Sequence, residues 1–579
     1  MKRNKISILV STLLLSGAFT FANAAAECVG SGGSECDIYL AANGYKSELD
    51  SGYDIYNNGT YTYFKGYNTN TSFAAGFASS VDITNYSTLH RFAPLGNNLI
   101  NYGTLHVYLY DDDGELKTAQ HVFDTDGSIT FKSGSKLFID VNSDATGNYN
   151  GQTISNVIMA DGGIIIEDEK LIIEDNSALL DFSYKTDING WALDLLVYQE
   201  QTVNEAVVKV NSNNKNGANA ANVFQKIIDS GSYGAMSDVI SNGLNTLSTN
   251  EEVAKAVDST TPQTTTASFT AATQISNNVS NIITQRQNVN LNSSGLNSGD
   301  ELLSQKNIWV KPYGSFGQQD DKDGLNGFDI KTYGIGVGAD AEYSANQKVG
   351  VGLFYTNADV DVNNISQSSD MDVYSLIVYG NVPVIDDTTN FLYQVGYSWQ
   401  KTNTTRDITF MNTTAKADYT SKIASLDLKL IKDYKLNQDL LLQPFVATTY
   451  RHFETPNYSE TGAGALNLNV NEFSSSEFIV ALGSLVHYKL NEDSKVTSSL
   501  QVGYDLKDDN NVVNSSYQGA SGLSYNTEGI DNGRVSYDLG FGYENDLNDL
   551  SNVSVNYNLQ GEGSDYLNHV VSVKYTYNF

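Results

Sequence analysis

Cysteine, proline and basic residues are all scarce in this chain of 579 residues. It contains two cysteines, Cys28 and Cys36, and six prolines, whereas glycine (48) and tyrosine (37) are abundant. Two cysteines without a nearby histidine cannot complete a tetrahedral zinc site, so a structural zinc centre is not expected there. Scarce cysteine beside abundant glycine and aromatic residues is typical of long β proteins that face the cell exterior.

Positive charge is in deficit throughout the chain. Lys and Arg total 34 against 67 Asp and Glu, which gives a net charge of −33. A surface this acidic repels nucleic acid and anionic lipid headgroups. We therefore expect no nucleic-acid partner, and we expect the exposed surface to be soluble.

Only one long apolar run is present, at residues 6–21. Basic residues precede it within positions 2–5, and the small residues Ala-Asn-Ala follow it at 22–24. This pattern predicts a secretory signal peptide over residues 1–24, because the run is too short for a membrane anchor. No later run is long enough for a membrane-spanning helix, so a membrane-embedded form of this chain would have to be a β-barrel.

The export signal gives the two cysteines a specific prediction. Cys28 and Cys36 follow the signal peptide within a stretch rich in glycine and serine. Exported proteins form and keep disulfides. We therefore predict a Cys28–Cys36 disulfide that closes a small loop.

A period of two in hydrophobicity dominates residues 305–579. The last eleven residues, 569–579, place apolar and aromatic side chains on one face and mostly polar ones on the other. About a dozen such segments follow one another, with short turns alternating with long polar loops. This pattern predicts a 12-stranded antiparallel transmembrane β-barrel with its polar face inward. The predicted strand centres are Val310, Ile335, Val351, Tyr374, Val395, Leu428, Val446, Val480, Val502, Leu539, Val555 and Val573.

Short β runs between turn signals fill residues 27 to about 210. Turn-and-strand units recur near residues 57–60, 84–89, 100–105 and 124–129. Such units suit a parallel β-helix, in which each rung needs neighbours to bury its inner face. An irregular β-sandwich is the alternative.

Helical patterns separate the two β regions. From about 219 to 260 apolar residues follow helical spacing, and a further helix is predicted over roughly 268–290. That second helix carries many amides and hydroxyls and almost no charge, which suits a helix threaded through a polar barrel lumen. An ordinary surface helix, the alternative, usually carries more Glu and Lys. Its apolar stripe is Ile275, Val279, Ile282 and Ile283.

Three stretches resemble a known family. Residues 127–200 resemble the C-terminal end of a pertactin-like passenger, and 309–317 with 327–334 resemble the start of an autotransporter β-domain. The terminal aromatics Tyr575, Tyr577 and Phe579 match the outer-membrane assembly signal. The chain is thus similar to classical, monomeric autotransporters of type V secretion.

The resemblance implies an all-β protein with a linker helix, in which a β-helix-like passenger precedes the barrel. The implied domains are a signal peptide (1–24), a β-rich passenger (25–126), an autochaperone-like β-helix cap (127–210), a helical linker (211–304) and a β-barrel translocator (305–579). The barrel would lie in the outer membrane, with the passenger on the cell surface. The implied partners are the Sec translocon, periplasmic chaperones, the outer-membrane β-barrel assembly machinery, outer-membrane lipid and a surface or host ligand of unknown identity.

Catalytic signatures are missing from the passenger sequence. It has no Gly-Asp-Ser-Gly, Gly-Asp-Ser-Leu or G-x-S-x-G motif, and its histidines are His90, His106 and His121. Two acidic turns, at 111–115 and 124–127, lack the ligand spacing of a calcium loop. We expect no enzyme activity, no cofactor and no metal, and an adhesin or other surface-interaction module. The alternatives are an enzymatic or toxic passenger and a plain outer-membrane channel.

A pair of asparagines, Asn277 and Asn278, lies in the predicted lumen helix. Some autotransporters release their passenger by cleavage between two such residues, when the first side chain attacks its own carbonyl carbon. The sequence that flanks that motif in the family is not convincingly present here. We therefore favour polar lumen contacts for both residues, with self-cleavage as the alternative.

Overall fold

The computed structural model describes residues 55–57, 82–85, 88–89, 98–112, 115–118, 123–141, 151–291, 304–344, 347–507 and 511–578. The signal peptide, the Cys28–Cys36 disulfide and Phe579 lie outside these residues and stay predictions. The chain divides into two compact units, Met1–Glu200 and Gln201–Phe579. None of the helices within the described ranges is both long enough and apolar enough to cross a membrane.

Short strands, most of them parallel, make up the N-terminal unit. They are β1 (Ile55–Asn57), β2 (Asp82–Asn85), β3 (Thr88–Leu89), β4 (Asn98–Asn101), β5 (Thr104–Asp112), β6 (Glu115–Thr118), β7 (Phe123–Thr125), β8 (Ile129–Phe131), β9 (Lys136–Val141), β10 (Thr153–Ala160), β11 (Ile164–Ile166), β12 (Ile172–Asp175), β13 (Leu180–Thr186) and β14 (Ala192–Gln199). One sheet has the order β1-β2-β4-β8-β11, the second has β3-β5-β9-β12, and the third contains the parallel pair β7-β10. From β7 to β12 the chain passes twice through the third, first and second sheets in that order, which is the path expected of a parallel β-helix.

Apolar rows fill the inside of this stack. Leu99 in β4 is in register with Ile129 in β8, which is in register with Ile164 in β11. In the second sheet, Leu105 of β5 is likewise in register with Leu137 of β9. Because in-register parallel strands repeat the same face, each turn of the chain buries its apolar row against the next.

An antiparallel hairpin ends the stack. Strands β13 and β14 pair with each other, and β14 adds to the edge of β10 in the antiparallel sense. Its inward residues Leu193, Leu195 and Val197 join the same apolar core. The hairpin therefore caps the edge to which a further coil would otherwise add. Strands β8 to β14, in this capped part, come from residues 127–200, the range that resembles a passenger C-terminal end.

A buried carboxyl makes the stability of this unit depend on pH. Burial, together with the nearby carboxylates of Asp181 and Glu200, raises the pKa of Asp175 to about 6, against the lowering effect of a hydrogen bond from the backbone N–H of Ser177. The folded state thus favours the neutral carboxyl, whose stabilising contribution is complete below pH ~4 and is lost as pH rises through ~6. Asp175→Asn should therefore raise the temperature at which this unit becomes protease-sensitive at neutral pH, with little effect near pH ~4.5.

The matched control for this prediction is Asp187→Asn. Backbone N–H donors of Ala192 and Trp191 lower the pKa of Asp187, so its contribution is present at neutral pH and is lost as pH falls. The Asn variant at this position should lower the same transition temperature at neutral pH. Shifts of the same sign in both variants would contradict the assignment.

Along the chain, four helices of the described residues follow the N-terminal unit and precede the barrel strands: α1 (Val203–Val210), α2 (Lys215–Ser230), α3 (Asn250–Ser259) and α4 (Gln263–Leu291). The predicted start of the linker at 211 is too late, because Thr202 and Glu205 form a capping box that begins α1. This signal is readable as T-x-x-E. The lumen helix α4 begins at Gln263, directly after Pro262, and not at 268. The predicted helical pattern of 219–260 is interrupted between α2 and α3, where the chain forms a π turn (Val239–Gly243) and a 3₁₀ turn (Leu244–Thr246).

Twelve long antiparallel strands form a closed barrel, as the sequence predicts. They are β15 (Ser304–Gln319), β16 (Phe328–Ser344), β17 (Gln347–Val362), β18 (Gln367–Pro383), β19 (Thr389–Ile408), β20 (Thr413–Lys432, continued by β21, Tyr434–Lys435), β22 (Leu440–Thr455), β25 (Phe473–Lys489), β26 (Ser494–Asp505), β29 (Val535–Asn548), β30 (Ser551–Glu562) and β31 (Tyr566–Asn578). All twelve predicted centres lie in these strands. Strand β15 pairs with β31, and β20 pairs with β22, so the described sheet closes on itself without a free edge.

The two ends of the barrel differ. At one end, which we call the short-turn end, hairpins of a few residues join the strands. At the other, the long-loop end, the loops carry four short strands: β23 (Tyr458–Ser459), β24 (Leu468–Val470), β27 (Val512–Tyr517) and β28 (Ser524–Glu528). These strands form a small separate sheet in the order β23-β24-β27-β28, which we call the loop sheet.

Candidate functional site

Helix α4 lies inside the barrel, as its composition predicts. Its apolar stripe packs against aromatic side chains of strands β15 and β17, chiefly Trp309, Tyr313 and Phe354. The stripe residues are Ile275, Val279, Ile282 and Ile283, all buried. The sequence therefore placed both the helix and its packing face correctly.

Amide side chains bond the rest of the helix to the barrel wall. Gln274 Nε2 donates to Ser315 Oγ and to Asn568 Oδ1, each at 2.9 Å. Asn281 Nδ2 donates to Asp538 Oδ2 at 2.7 Å. A buried amide is costly unless it is hydrogen-bonded, so these contacts explain why the helix is rich in Gln and Asn.

An ion pair fixes the helix near the short-turn end. Arg286 donates to both carboxylate oxygens of Asp340, from Nε at 2.7 Å and from Nη2 at 2.8 Å. Asn307 Nδ2 (2.9 Å) and the Tyr379 hydroxyl (2.8 Å) also donate to this carboxylate. The two charged side chains are only 3% and 0% exposed. Sequence reasoning missed this pair, although Arg286 is the single charged residue of the 29-residue helix.

A polar cavity of about 100 Å³ lies beside the middle of the helix. Lys429, Arg451, Glu477 and Glu562 are among its lining residues. Arg451 Nη1 pairs with Glu477 Oε2 at 2.7 Å, and its Nη2 donates to Asn277 Oδ1. The lumen is thus packed on one side of the helix and polar and open on the other.

Both predicted asparagines make lumen contacts. Asn277 is held by Arg451, while Asn278 Nδ2 donates to Ser315 Oγ at 3.1 Å. They sit within an unbroken helix, where main-chain carbonyls accept hydrogen bonds from residues four positions on. A guanidinium on Oδ1 also draws electron density away from the Asn277 amide nitrogen, the atom that would attack. This geometry favours polar lumen contacts, and self-cleavage stays the alternative.

The C-terminal strand closes the barrel with the predicted face outward. Tyr575 and Tyr577 are exposed on the outer surface, whereas the alternate residues Lys574 and Thr576 are buried toward the lumen. Val310 and Ile308 of β15 lie opposite the two tyrosines in the closing strand pair. The apolar and aromatic face therefore meets lipid at the seam where the first and last strands join.

Comparisons with known proteins agree with this geometry. Residues 308–558 match the family model described as the autotransporter beta-domain. The chain is 24% identical over 205 residues to outer membrane protein B of Rickettsia prowazekii, covering 34% of this chain and 12% of that protein. It is 27% identical over 181 residues to an extracellular serine protease of Serratia marcescens, covering 30% of this chain and 16% of that protein.

A solved structure that matches part of the chain is the translocator domain of the autotransporter NalP from Neisseria meningitidis. It is 14% identical to this chain with a TM-score of 0.43, and the match covers 53% of this chain and 98% of that domain. The match to outer membrane protein B spans about an eighth of that protein's length.

Proposed function

We propose that this chain displays its own N-terminal unit as a non-catalytic adhesion or surface-interaction module. The premise is that the C-terminal region is an autotransporter β-domain of the outer membrane. The barrel lies in the outer membrane and the passenger faces the cell exterior. The observation that supports a binding role is the stack of in-register parallel strands, which lines up outward-facing side chains in rows across the sheet.

One such face is the outer side of the sheet β3-β5-β9-β12. His106 and Tyr108 of β5 have ring centroids 4.4 Å apart, and Phe138 of β9 lies edge-on to His106 at 4.9 Å. Asp140 and Asn176 extend this outer aromatic row, since Asn176 Nδ2 donates to Asp140 Oδ1 at 2.7 Å. Aromatic rings beside carboxylate and amide groups supply contact area and directional hydrogen bonds in one patch.

The lumen contacts favour a passenger that stays attached. Arg286 anchors α4 to the barrel wall, and Arg451 holds the side chain of Asn277. As long as the chain is not cut, a helix that is bound to the barrel wall along its length keeps the passenger attached to the membrane. We therefore propose display without release, in which the mature chain runs as one polypeptide on a denaturing gel.

An enzymatic passenger is the second candidate. His106 Nε2 lies 3.2 Å from Asp140 Oδ2, and a histidine oriented by a carboxylate is two thirds of a hydrolase triad. A serine protease is also among the similar proteins, but the match covers only 16% of it. The pair equally serves as a polar contact across two adjacent strands, and we favour that role.

The deciding experiment displays the full chain on a Gram-negative host and measures binding to epithelial cells, to other bacteria and to plastic, beside a general protease and esterase screen. The control lacks residues 25–200 in frame. We expect binding that is lost in the control, and no hydrolysis. Binding equal in both would contradict the adhesion role, and hydrolysis lost in His106→Ala would establish the enzymatic alternative.

A further inference from the structure

The long-loop end of the barrel encloses the segment that joins helices α3 and α4. Residues 259–266 are all buried, although they lie at the mouth of the barrel. Five of these eight residues are threonine. Their surroundings come from strand ends and loops that are distant in sequence, so this burial is a property of the assembled mouth.

The mouth supplies the C-terminal cap of α3. The last carbonyls of a helix have no partner within it. Here Arg406 Nη1 donates to Ser259 O at 2.9 Å, the Tyr525 hydroxyl donates to Thr260 O at 2.9 Å, and Gln367 Nε2 donates to Thr261 O at 2.8 Å. Three consecutive carbonyls are thus capped from three separate parts of the barrel domain. The positive charge of Arg406 also lies where the helix dipole favours a cation.

Gln367 caps two helices at once. While its Nε2 donates to Thr261 O, its Oε1 accepts a bond from the backbone N–H of Thr264, in the first turn of α4, at 3.4 Å. The same Nε2 also donates to Ser259 O, the carbonyl of the last residue of α3, at 3.4 Å, so one amide satisfies an orphan acceptor of α3 and an orphan donor of α4. This fixes the turn between the helix outside the barrel and the helix inside it.

Loop residues hold the capping groups in place. Arg406 forms a two-pronged ion pair with Glu460, and the two side chains are 1% and 4% exposed. Glu460 also accepts from the backbone N–H of Leu468 at 2.8 Å. The guanidinium is therefore aimed at the end of α3 by the loop sheet itself.

The loop sheet also binds helix α2. The Asn216 side chain exchanges two hydrogen bonds with the backbone of Glu528 in β28, both at 2.8 Å. The rings of Phe224 and Tyr517 lie 5.1 Å apart, and the Tyr517 hydroxyl bonds Thr260 Oγ1 at 2.6 Å. The helices outside the lumen are thus bound to the same loops that cap α3.

We propose that the long-loop end of the barrel is a binding surface for the chain's own linker, residues 201–262, and acts as a lock that closes after export. The surface meets the linker only once those residues are outside the membrane. Binding satisfies the helix ends and buries Phe224, so withdrawal of the linker would break all of these contacts together. The docked linker keeps the N-terminal unit at the cell surface, and this role does not depend on which ligand that unit binds.

The test is protease accessibility of the linker on intact cells that display the full chain. The double variant Asn216→Ala/Gln367→Met removes the two hydrogen bonds between Asn216 and Glu528 and the cap that Gln367 provides for α3 and α4. It leaves no buried charge. We expect an added broad-specificity protease to cut within residues 201–262 and shed the N-terminal unit about ten-fold faster than in the unmodified chain. The matched control is Asn222→Ala, an exposed residue of the same helix, which should match the unmodified chain.

Equal rates in the double variant and the unmodified chain would overturn the lock and leave the proposed display intact. Absence of the N-terminal unit from the surface in every chain would instead overturn the display. Should the double variant fail to assemble, a cross-link decides the question. A Cβ at Gly519 would lie 2.7 Å from Met236 Sδ and 2.7 Å from Ala465 Cβ. Met236→Cys with Gly519→Cys and Ala465→Gly, which removes the overlapping methyl group, in a chain with Cys28→Ser and Cys36→Ser, should therefore form a disulfide at the surface, and a failure to cross-link would refute docking.

Discussion

Replacing Leu195 by Asp is expected to leave the N-terminal unit protease-sensitive at the cell surface, or stalled in export, while the barrel still assembles. Leu195 is 0% exposed in the core of the cap hairpin. Its neighbours across the strands are Ile154 of β10 and Tyr184 of β13. A carboxylate there would lose apolar packing and would be buried without a partner, at a cost of roughly 4 kcal/mol or more. That is comparable to the whole stability of a small domain.

The exposed residue Ile188 provides a matched control. It is fully exposed in the turn between β13 and β14, so Ile188→Asp introduces the same charge, at a branched apolar residue of equal size, without burying it. The measurement is surface proteolysis of both variants, beside the heat-modifiable gel migration expected of a closed barrel. Equal protease resistance in Leu195→Asp, Ile188→Asp and the unmodified chain would refute the autochaperone-like role that the resemblance implies for residues 127–210.

Replacing Arg286 by Met should open the lumen. The variant leaves the Asp340 carboxylate buried without its cation, and breaking a buried ion pair in this way costs roughly 3–5 kcal/mol. The contact that fixes α4 near the short-turn end would be lost, so the helix should leave the lumen for part of the time. We expect larger and more frequent openings in planar-bilayer recordings, and greater sensitivity of cells to antibiotics too large for ordinary porins.

A second substitution separates the effect of charge from that of shape. In Arg286→Met/Asp340→Asn the buried charge is gone, while the amide oxygen introduced at position 340 can still accept from the Tyr379 hydroxyl. The double variant should therefore recover much of the closed state. Conductance as high in the double variant as in the single one would show that the bulk of Arg286, and not its charge on Asp340, keeps the helix in place.

The barrel could be predicted because its signal is local and repeated. In an antiparallel barrel, alternate residues meet lipid and lumen, so ten or so residues suffice to identify both a strand and its two faces. Residues 571–577 show this directly, since the alternate side chains that the pattern assigned to lipid are exposed and those between them are buried. The N-terminal unit was harder to predict because its rungs are unevenly spaced, and only the in-register pairing of Leu99 with Ile129 makes the parallel stack evident.

The functional contacts of the lumen could not be predicted in the same way. Arg286 and Asp340 are 54 residues apart in sequence, and Gln274 and Asn568 are 294 apart. Which inward-facing residue meets which helical residue depends on strand register, tilt and the depth of the helix in the barrel. None of these quantities is written in a local pattern, although a lone charge in a helix predicted for the lumen is a signal that could have pointed to a buried partner.

The sequence by itself determined the number of barrel strands, the face each strand turns to lipid and the presence of an almost uncharged helix for the lumen. Each of these follows from periodicity or composition within a few dozen residues. Only the tertiary structure decided how helix ends are completed at the mouth. The carbonyls of Ser259, Thr260 and Thr261 are capped by side chains from three distant segments. A helix ends with orphan carbonyls in any sequence, and only the closed barrel brings their donors within reach.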